Sequence, residues 1–267
     1  MAEHKQHKLL EVKGMTMDFG GLRAVDSLSL DVHEGEIAAL IGPNGAGKTT
    51  FFNCVTGIYE PTKGDILLHP KGLESRRLNG LKPNKVTEMG LARTFQNIRL
   101  FQGMTVLENV MIGRHCRTNA GILRSILRGP ATKREEQEIV ESSYQLLEKV
   151  ELDKYANDFA RNLPYGAQRR LEIARAMATE PFLLLLDEPA AGMNSRETAN
   201  LDQLICRISE EEQIAILLIE HDMKLVMNIS NPIYVMEYGK KIAEGSPRQI
   251  KDNPKVIEAY LGEETEA

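Results

Sequence analysis

The apolar residues of this chain fall into short unbroken runs and into helical spacing, and the runs predict a buried sheet. The clearest runs are residues 37–41, 182–186 and 214–219. A strand covered by helices on both faces has to be apolar on both sides, so these runs are typical of central parallel strands. Helical spacing occupies residues 49–56, 163–179 and 195–212. Strands that alternate with helices in the last third of the chain indicate an α/β fold.

Alternation of apolar and polar residues near the N-terminus predicts a small antiparallel sheet. Residues 9–17 and 28–32 alternate, and residues 18–22 have turn composition. Phe19 falls in that turn, where an exposed ring either stacks on a flat base or packs against a neighbouring strand. A terminal hairpin is predicted from residues 233–237 and 240–243, joined around Gly239.

A change of composition at Asn97 predicts a helical insertion in the α/β fold. Residues 104–112, 114–128 and 131–150 have helical spacing and are separated by Gly and Pro. We therefore predict an α/β core from residues 1–96 and 167–250, a helical subdomain at 97–166, and a C-terminal helix and tail at 251–267. The helix at 163–179 is predicted to start at Asn162 as N-cap, with Pro164 in its first turn.

A basic face is predicted within the insertion. Arg114, Arg117, Arg124 and Arg128 are spaced to share one side of a helix. A solvated charged face is the favoured interpretation, and contact with acidic headgroups or a membrane partner is the alternative.

Composition excludes several classes of protein. The 267 residues carry a net charge of −5, which argues against a nucleic-acid surface. The three cysteines offer no metal-ligand pair, and their odd number suits a reduced, cytosolic chain. The apolar runs are far shorter than the roughly 20 residues that cross a bilayer, and the polar N-terminus is no signal peptide. Any membrane role is therefore expected to be peripheral.

A glycine-rich loop between the first predicted central strand and its helix has the composition of a phosphate site. It reads Gly42, Pro43, Asn44, Gly45, Ala46, Gly47, Lys48 and Thr49, followed by Thr50. Backbone N–H groups in such a loop point inward, and the helix N-terminus adds partial positive charge. Lys48 is expected to reach the β and γ phosphates, and the Thr49 hydroxyl to ligate Mg²⁺.

Polar residues that end two other central strands complete the predicted chemistry. Asp187 is expected to hold Mg²⁺ and Glu188 to orient a water for attack on the γ-phosphate. His221, at the end of the next run, is placed to donate to that phosphate or to the water. A GTPase is disfavoured because Asn84-Lys85-Val86-Thr87 lacks the aspartate of a guanine-binding element. ATP hydrolysis is the better interpretation.

Taken together, these motifs resemble the nucleotide-binding subunits of ATP-binding cassette (ABC) transporters over essentially the whole chain. The resemblance implies a P-loop cassette: a mainly parallel core sheet, an N-terminal antiparallel subdomain and an inserted helical subdomain. It makes residues 42–49 the Walker A loop, residues 182–188 the Walker B strand with catalytic Glu188, and His221 the switch histidine. It also implies that Gln96, in Arg93-Thr94-Phe95-Gln96, contacts Mg²⁺ and relays to the membrane subunit. In the segment 19–25, Phe19 and Val25 join the nucleotide site, Phe19 by stacking on adenine.

The resemblance also implies a head-to-tail dimer that sandwiches ATP. The signature motif aligns with Leu163-Pro164-Tyr165-Gly166-Ala167, so Gly166 is expected to contact the ATP of the opposite subunit. Pro164 departs from the usual serine and removes a hydroxyl and an N–H. Residues 190–194 resemble the loop that crosses the dimer interface.

Within the family, the segments 19–25, 93–96, 169–175, 188–192, 219–223 and 253–262 are most similar to branched-chain amino-acid import ATPases. Urea or amide importers and lipopolysaccharide exporters share several of them. The implied partners are a second cassette, identical or different, integral permease subunits and indirectly a substrate-binding protein, with no nucleic acid. The implied location is the inner face of the cell membrane. A soluble cassette that remodels ribosomes or nucleic acid usually has two cassettes or a coiled-coil insertion, and this chain has neither; a non-hydrolytic structural cassette is a further alternative.

Overall fold

The computed structural model describes residues 6–114 and 130–264 and divides the chain into two compact units. One unit contains the chain up to Arg93 together with the chain from Phe182 onward, and the other contains residues 94–181. The predicted insertion, 97–166, differs from the second unit because residues 167–181 stay with the helices. The physical reason is Arg169, which donates hydrogen bonds to the backbone carbonyls of Phe95 and Gln96.

The first unit begins with an antiparallel sheet, as the alternation predicts. Its strands are β1 (Lys8–Phe19), β2 (Leu22–His33), β4 (Lys63–Leu68) and β5 (Arg76–Arg77), in the order β2-β1-β4-β5. The turn between β1 and β2 is shorter than predicted, because Gly20 at φ 58° lets two residues reverse the chain. Phe19 is therefore the last residue of β1, and the prediction that it lies in the turn is wrong.

The second sheet is mainly parallel and forms the centre of the first unit. Its strands are β3 (Ile37–Ile41), β6 (Leu91–Arg93), β7 (Leu183–Asp187), β8 (Ala215–Ile219), β9 (Ile233–Glu237) and β10 (Lys240–Gly245). Their order is β10-β9-β3-β8-β7-β6, and every neighbouring pair except β9 and β10 is parallel. All residues of β7 and β8 are buried, which explains their uninterrupted apolar sequence. The predicted α/β class is confirmed.

Helices surround this sheet in the first unit. They are α1 (Lys48–Val55), α2 (Pro83–Glu88), α6 (Ser195–Glu212), α7 (Met223–Ile229), α8 (Pro247–Lys251) and α9 (Pro254–Glu264). Helix α1 places Phe51 and Phe52 in a core shared with side chains of both sheets. Helix α6 starts at a capping box formed by Asn194 and Glu197. Helix α7 was not predicted, since its seven residues are too short for a clear period.

The second unit is built from helices α3 (Val106–Arg114), α4 (Pro130–Lys149) and α5 (Tyr165–Met177). Helix α3 packs on both α4 and α5. The predicted N-cap of α5 is wrong: Asn162 ends a 3₁₀ turn, Ala160–Asn162, and Pro164 is the N-cap. Leu163 is extended, at φ −72° and ψ 142°, because a residue that precedes proline avoids the helical region.

The predicted basic face of the insertion is described only at its first residue. Arg114 is the last residue of α3, while Arg117, Arg124 and Arg128 lie outside the described residues.

Across residues 6–114 and 130–264, every helix is either too short or too polar to span a bilayer.

Candidate active site

The phosphate loop joins β3 to α1, as predicted, and its shape depends on glycine. Gly42, Gly45 and Gly47 have φ values of 147°, 74° and 99°, which disfavour any residue with a Cβ. A Cβ on Gly42 would overlap the carbonyl oxygen of Met236, and one on Gly47 would overlap that of Ala24. Backbone from β9 and β2 therefore presses against the loop and fixes its path.

Lys48 and the start of α1 supply positive charge at this loop. The buried Lys48 ammonium donates to the carbonyl oxygens of Gly42 at 2.6 Å and Pro43 at 2.8 Å. In the described chain Gly47 gives no side-chain cap to α1, so the positive end of the helix dipole is available to an anion. Thr49 is exposed and Thr50 half-buried in the first turn. This is a cradle for phosphate oxygens.

The predicted carboxylates and histidine lie on two adjacent strands. Asp187 ends β7 opposite Ile219 of β8, and Glu188 follows with φ 48° while donating its N–H to the Ile219 carbonyl at 2.9 Å. His221 Nε2 lies 3.0 Å from Glu188 Oε1. Because β3, β8 and β7 are neighbours, the phosphate loop, His221 and both carboxylates meet at one edge of the sheet.

Arg93 is a site residue to which sequence reasoning gave no role. Its guanidinium pairs with Asp187 Oδ2 at 2.7 Å, and both side chains are buried, at 6% and 2% exposed. Arg93 also donates to Asn53 at 2.8 Å and Thr56 at 3.2 Å, so it ties the strand-end carboxylate to α1. The available signal was a charged residue, Arg93, directly after the apolar pair Leu91-Ala92 at the end of a short strand.

Glu220 is a second residue that was missed. Its buried carboxylate accepts from the Ala190 N–H at 2.7 Å and from the His221 N–H at 3.0 Å. Burial raises the pKa of this carboxyl above its usual range. Glu220 therefore fixes the backbone of His221 and joins it to the loop that follows Glu188.

Phe19 and Val25 occupy different environments around the loop. Phe19 remains 40% exposed and packs edge to face on Tyr59, with ring centroids 5.3 Å apart. Both interpretations of Phe19 are therefore compatible with its position. Val25 is fully buried, and a Cβ on Gly47 would lie 3.4 Å from its Cγ2, so Val25 supports the loop from beneath.

Gln96 and Gly166 belong to the helical unit, where one arginine holds the segment that contains Gln96. Arg169 donates to the carbonyls of Phe95 and Gln96, and pairs with Glu172 at 3.3 Å. Gly166 is the second residue of α5. The segment that contains Gln96 is thus hydrogen-bonded to α5, the helix whose first turn contains Gly166.

Pro164 stands at the N-cap of α5, where the family usually has serine, and the effect of this difference can be tested. Its carbonyl accepts from the N–H groups of Ala167 and Gln168, both at 3.0 Å, but it offers no side-chain cap. Pro164→Ser is expected to stabilise the protein by about 0.5–1 kcal/mol through capping and to strengthen ATP-dependent dimerisation. Urea unfolding and sedimentation with ATP measure the two effects. Pro164→Ala is the control, since it restores the N–H without the hydroxyl; unchanged dimerisation in the serine variant would contradict the expected cost of proline.

Asp202 on α6 makes stability depend on pH. Burial, and then the negative charge of Asp222, raise the pKa of its carboxyl from 3.8 to about 6. The unfolded chain loses this proton first, so stability falls as pH rises from about 4 to about 6. Asp202→Asn is expected to remove this pH dependence and to raise the free energy of unfolding by about 1–2 kcal/mol above pH 6. The value allows for solvent screening at this half-buried group. Urea midpoints at pH 5 and 8 test this, and equal pH slopes in both proteins would contradict it.

A P-loop nucleoside triphosphatase is the class that this fold and this site define. The family profile described as ABC transporter matches residues 25–191, and that described as branched-chain amino acid ATP-binding cassette transporter matches residues 240–266. The chain therefore belongs to the ABC transporter family as one of its ATP-binding cassettes, and it is an ATPase.

Relatives of known name cover nearly the whole chain. The high-affinity branched-chain amino acid transport ATP-binding protein LivG of Escherichia coli (strain K12) is 51% identical over 255 residues, 96% of this chain and 98% of that protein. BraF of Pseudomonas aeruginosa, which has the same description, is 50% identical over the same shares. The crystal structure of the ADP conformation of the cassette MJ1267 is 31% identical, with a TM-score of 0.82 over 96% of this chain and 99% of that one.

Proposed function

We propose that this chain hydrolyses ATP with Mg²⁺ to drive the import of branched-chain amino acids across a cell membrane. The substrate is assigned from the 51% identity, over 96% of the chain, with a protein described as a branched-chain amino acid transport ATP-binding protein. The C-terminal match at residues 240–266 supports the same branch of the family. The geometry of the site supports the chemistry.

The phosphate loop is proposed to bind the triphosphate. The backbone N–H groups of residues 44–50 and the dipole of α1 would bind the β and γ phosphates. The Lys48 ammonium donates hydrogen bonds to two loop carbonyls. When ATP binds, it would donate to phosphate oxygens in place of these carbonyls. Phe19, exposed at the end of β1, would stack on adenine, and Val25 would support the loop.

Mg²⁺ fits the oxygen donors at this edge of the sheet. The exposed Thr49 hydroxyl and the Asp187 carboxylate are the hard donors that this cation prefers. The family resemblance adds Gln96 to the proposed ligands. When bound, Mg²⁺ neutralises charge on the transferred phosphoryl group. Arg93 would hold Asp187 in place for this role.

Glu188 is proposed as the general base for the attacking water. Its carboxylate orients the water in line with the γ-phosphate and accepts its proton, and ADP and phosphate are the products. His221, whose Nε2 lies 3.0 Å from Glu188 Oε1, would donate its Nε2–H to the γ-phosphate once nucleotide is bound. Little covalent chemistry is required of the protein, so positioning and charge supply most of the catalysis.

A second cassette is proposed to complete each ATP site. The start of α5, with Gly166 and the helix dipole, would face the γ-phosphate that the opposite subunit binds. The two subunits would then be arranged head to tail, as two copies of this chain or as this chain with another cassette. ATP binding closes this dimer and hydrolysis releases it.

The helical unit is proposed to dock on the membrane permease subunits. Phe101, Met104 and Phe159 are exposed at 47%, 38% and 42%. Met104 and Phe159 are brought together by the backbone. Ala160 donates its N–H to the Met104 carbonyl, and Thr105 forms a β-bridge with Phe159. Exposed apolar clusters of this kind mark protein interfaces. The chain would work at the inner face of the membrane.

Uptake in cells that lack this chain tests the proposal. Loss of leucine, isoleucine and valine uptake, restored by the wild-type chain but not by Glu188→Gln at equal expression, is the expected result. If urea or amide uptake is lost instead, the proposed substrate is wrong but the proposed role in transport stands. A chain that co-purifies with ribosomes or DNA, and not with permeases from solubilised membranes, would contradict transport.

A further inference from the structure

An apolar pocket lies between α7, α8 and α9 of the first unit. Its volume is about 780 Å³, which is within the range of small-molecule sites and short of a groove for a long helix. Apolar side chains line it: Met223 and Met227 from α7, Ile250 from α8, and Val256 and Ile257 from α9. Ile250 and Val256 are buried, whereas Ile257 is exposed. We call this the C-terminal pocket.

Cations surround the C-terminal pocket. Lys224, Arg248 and Lys251 line it and are exposed. In the described part of the chain none of the three makes an ion pair, and no acidic side chain lines the pocket. Three basic side chains that make no ion pair in the described chain, beside an apolar cavity, favour an anion with a hydrocarbon body.

The walls of the C-terminal pocket suit a hydrocarbon chain of variable shape. Methionine side chains are unbranched and adapt to the molecule that they contact. The wall helix α7 also begins two residues after His221, with Asp222 as its N-cap. A molecule in the pocket would therefore contact the helix that continues directly from the switch histidine. Most of the other lining residues fall within residues 240–266, the segment matched by the branched-chain amino acid profile.

We infer that the C-terminal pocket binds an aliphatic carboxylate, with the hydrocarbon on Met223, Met227 and Ile257 and the carboxylate among Lys224, Arg248 and Lys251. This inference does not depend on which substrate the transporter carries. Affinity should grow with chain length, by up to about fourfold for each methylene buried. The charge of the head group should decide binding among chains of equal length.

Calorimetric titration of the full chain with hexanoate, octanoate and decanoate, kept below micelle formation, tests the inference. Octanoate should bind at least tenfold more tightly than octylammonium. The double variant Lys224→Glu/Arg248→Glu should lose at least tenfold in octanoate affinity and prefer octylammonium. Lys255→Glu is the matched control, since it reverses an exposed charge on α9 that does not line the pocket, and it should bind as the wild type does.

A fluorescence measurement locates the binding. The chain contains no tryptophan, so Ile257→Trp places a single tryptophan at the pocket, and its emission is separable from that of the tyrosines. Decanoate should shift its emission to the blue, and the shift should disappear in the Lys224→Glu/Arg248→Glu background. Equal affinity for octanoate and octylammonium, an unchanged affinity in the charge-reversed variant, or binding only to anionic vesicles would each overturn the inference.

Discussion

Glutamine in place of Glu188 is expected to lower the rate of ATP hydrolysis by a factor of about 10²–10⁴, the usual contribution of a positioned general base. The amide keeps the size of the side chain and a hydrogen-bonding oxygen for His221, 3.0 Å away, but it cannot take a proton from water. ATP should still bind, because the phosphate loop is unchanged. Phosphate release in single-turnover experiments measures the loss, and sedimentation with ATP should show a dimer that persists.

A matched control separates this effect from a general loss of charge. Glu74 is an exposed glutamate in the loop between β4 and β5, two strands of the antiparallel sheet. Glu74→Gln should hydrolyse ATP at the wild-type rate. Turnover in Glu188→Gln within a factor of about three of wild type would remove Glu188 from the role of base.

Methionine in place of Arg93 is expected to destabilise the protein by about 3–5 kcal/mol, because it removes the guanidinium that pairs with the buried Asp187 carboxylate. Asp187 is 2% exposed, so water cannot replace the guanidinium. The side chains of Asn53 and Thr56 would lose a donor in the same step. Urea unfolding measures the loss, and the affinity for Mg·ATP should fall with it.

Two further variants distinguish the ion pair from general packing damage. Arg93→Lys keeps the charge but not the planar fork, and it should lose less than the methionine variant. Arg93→Met with Asp187→Asn removes both charges and should recover part of the lost stability. If the double variant is as unstable as the sum of the single variants, the pair makes no coupled contribution and the inferred role of Arg93 is wrong.

The features that the sequence predicted well are those whose cause is local. The phosphate loop needs glycine at Gly42 and Gly47 within a few residues of a buried strand, and both requirements are visible along the chain. The strands β7 and β8 are apolar throughout because helices cover both faces. His221 and Glu188 follow such strands directly, so their meeting at one sheet edge could be expected from parallel pairing alone.

The features that were missed depend on contacts between distant segments. Arg93 lies 94 positions before Asp187 in the chain, and no local pattern indicates that the two residues pair. Arg169 holds the backbone of Phe95 from a helix more than 70 positions away, so the compact helical unit includes residues 167–181, which lie beyond the predicted insertion. Tyr59 reaches Phe19 across 40 positions. Helix α7 was missed for a different reason, since it spans fewer than two periods.

In the proposed dimer, the carboxylate of Glu220 would link the two ATP sites. It is bonded at once to the amide of Ala190 and to the amide of His221, which lie in different loops. If residues 190–194 contact the opposite subunit, a displacement of that loop would move His221 of the same chain through this single side chain. Hydrolysis would then be cooperative between the two sites, and the timing of one site would depend on the state of its neighbour.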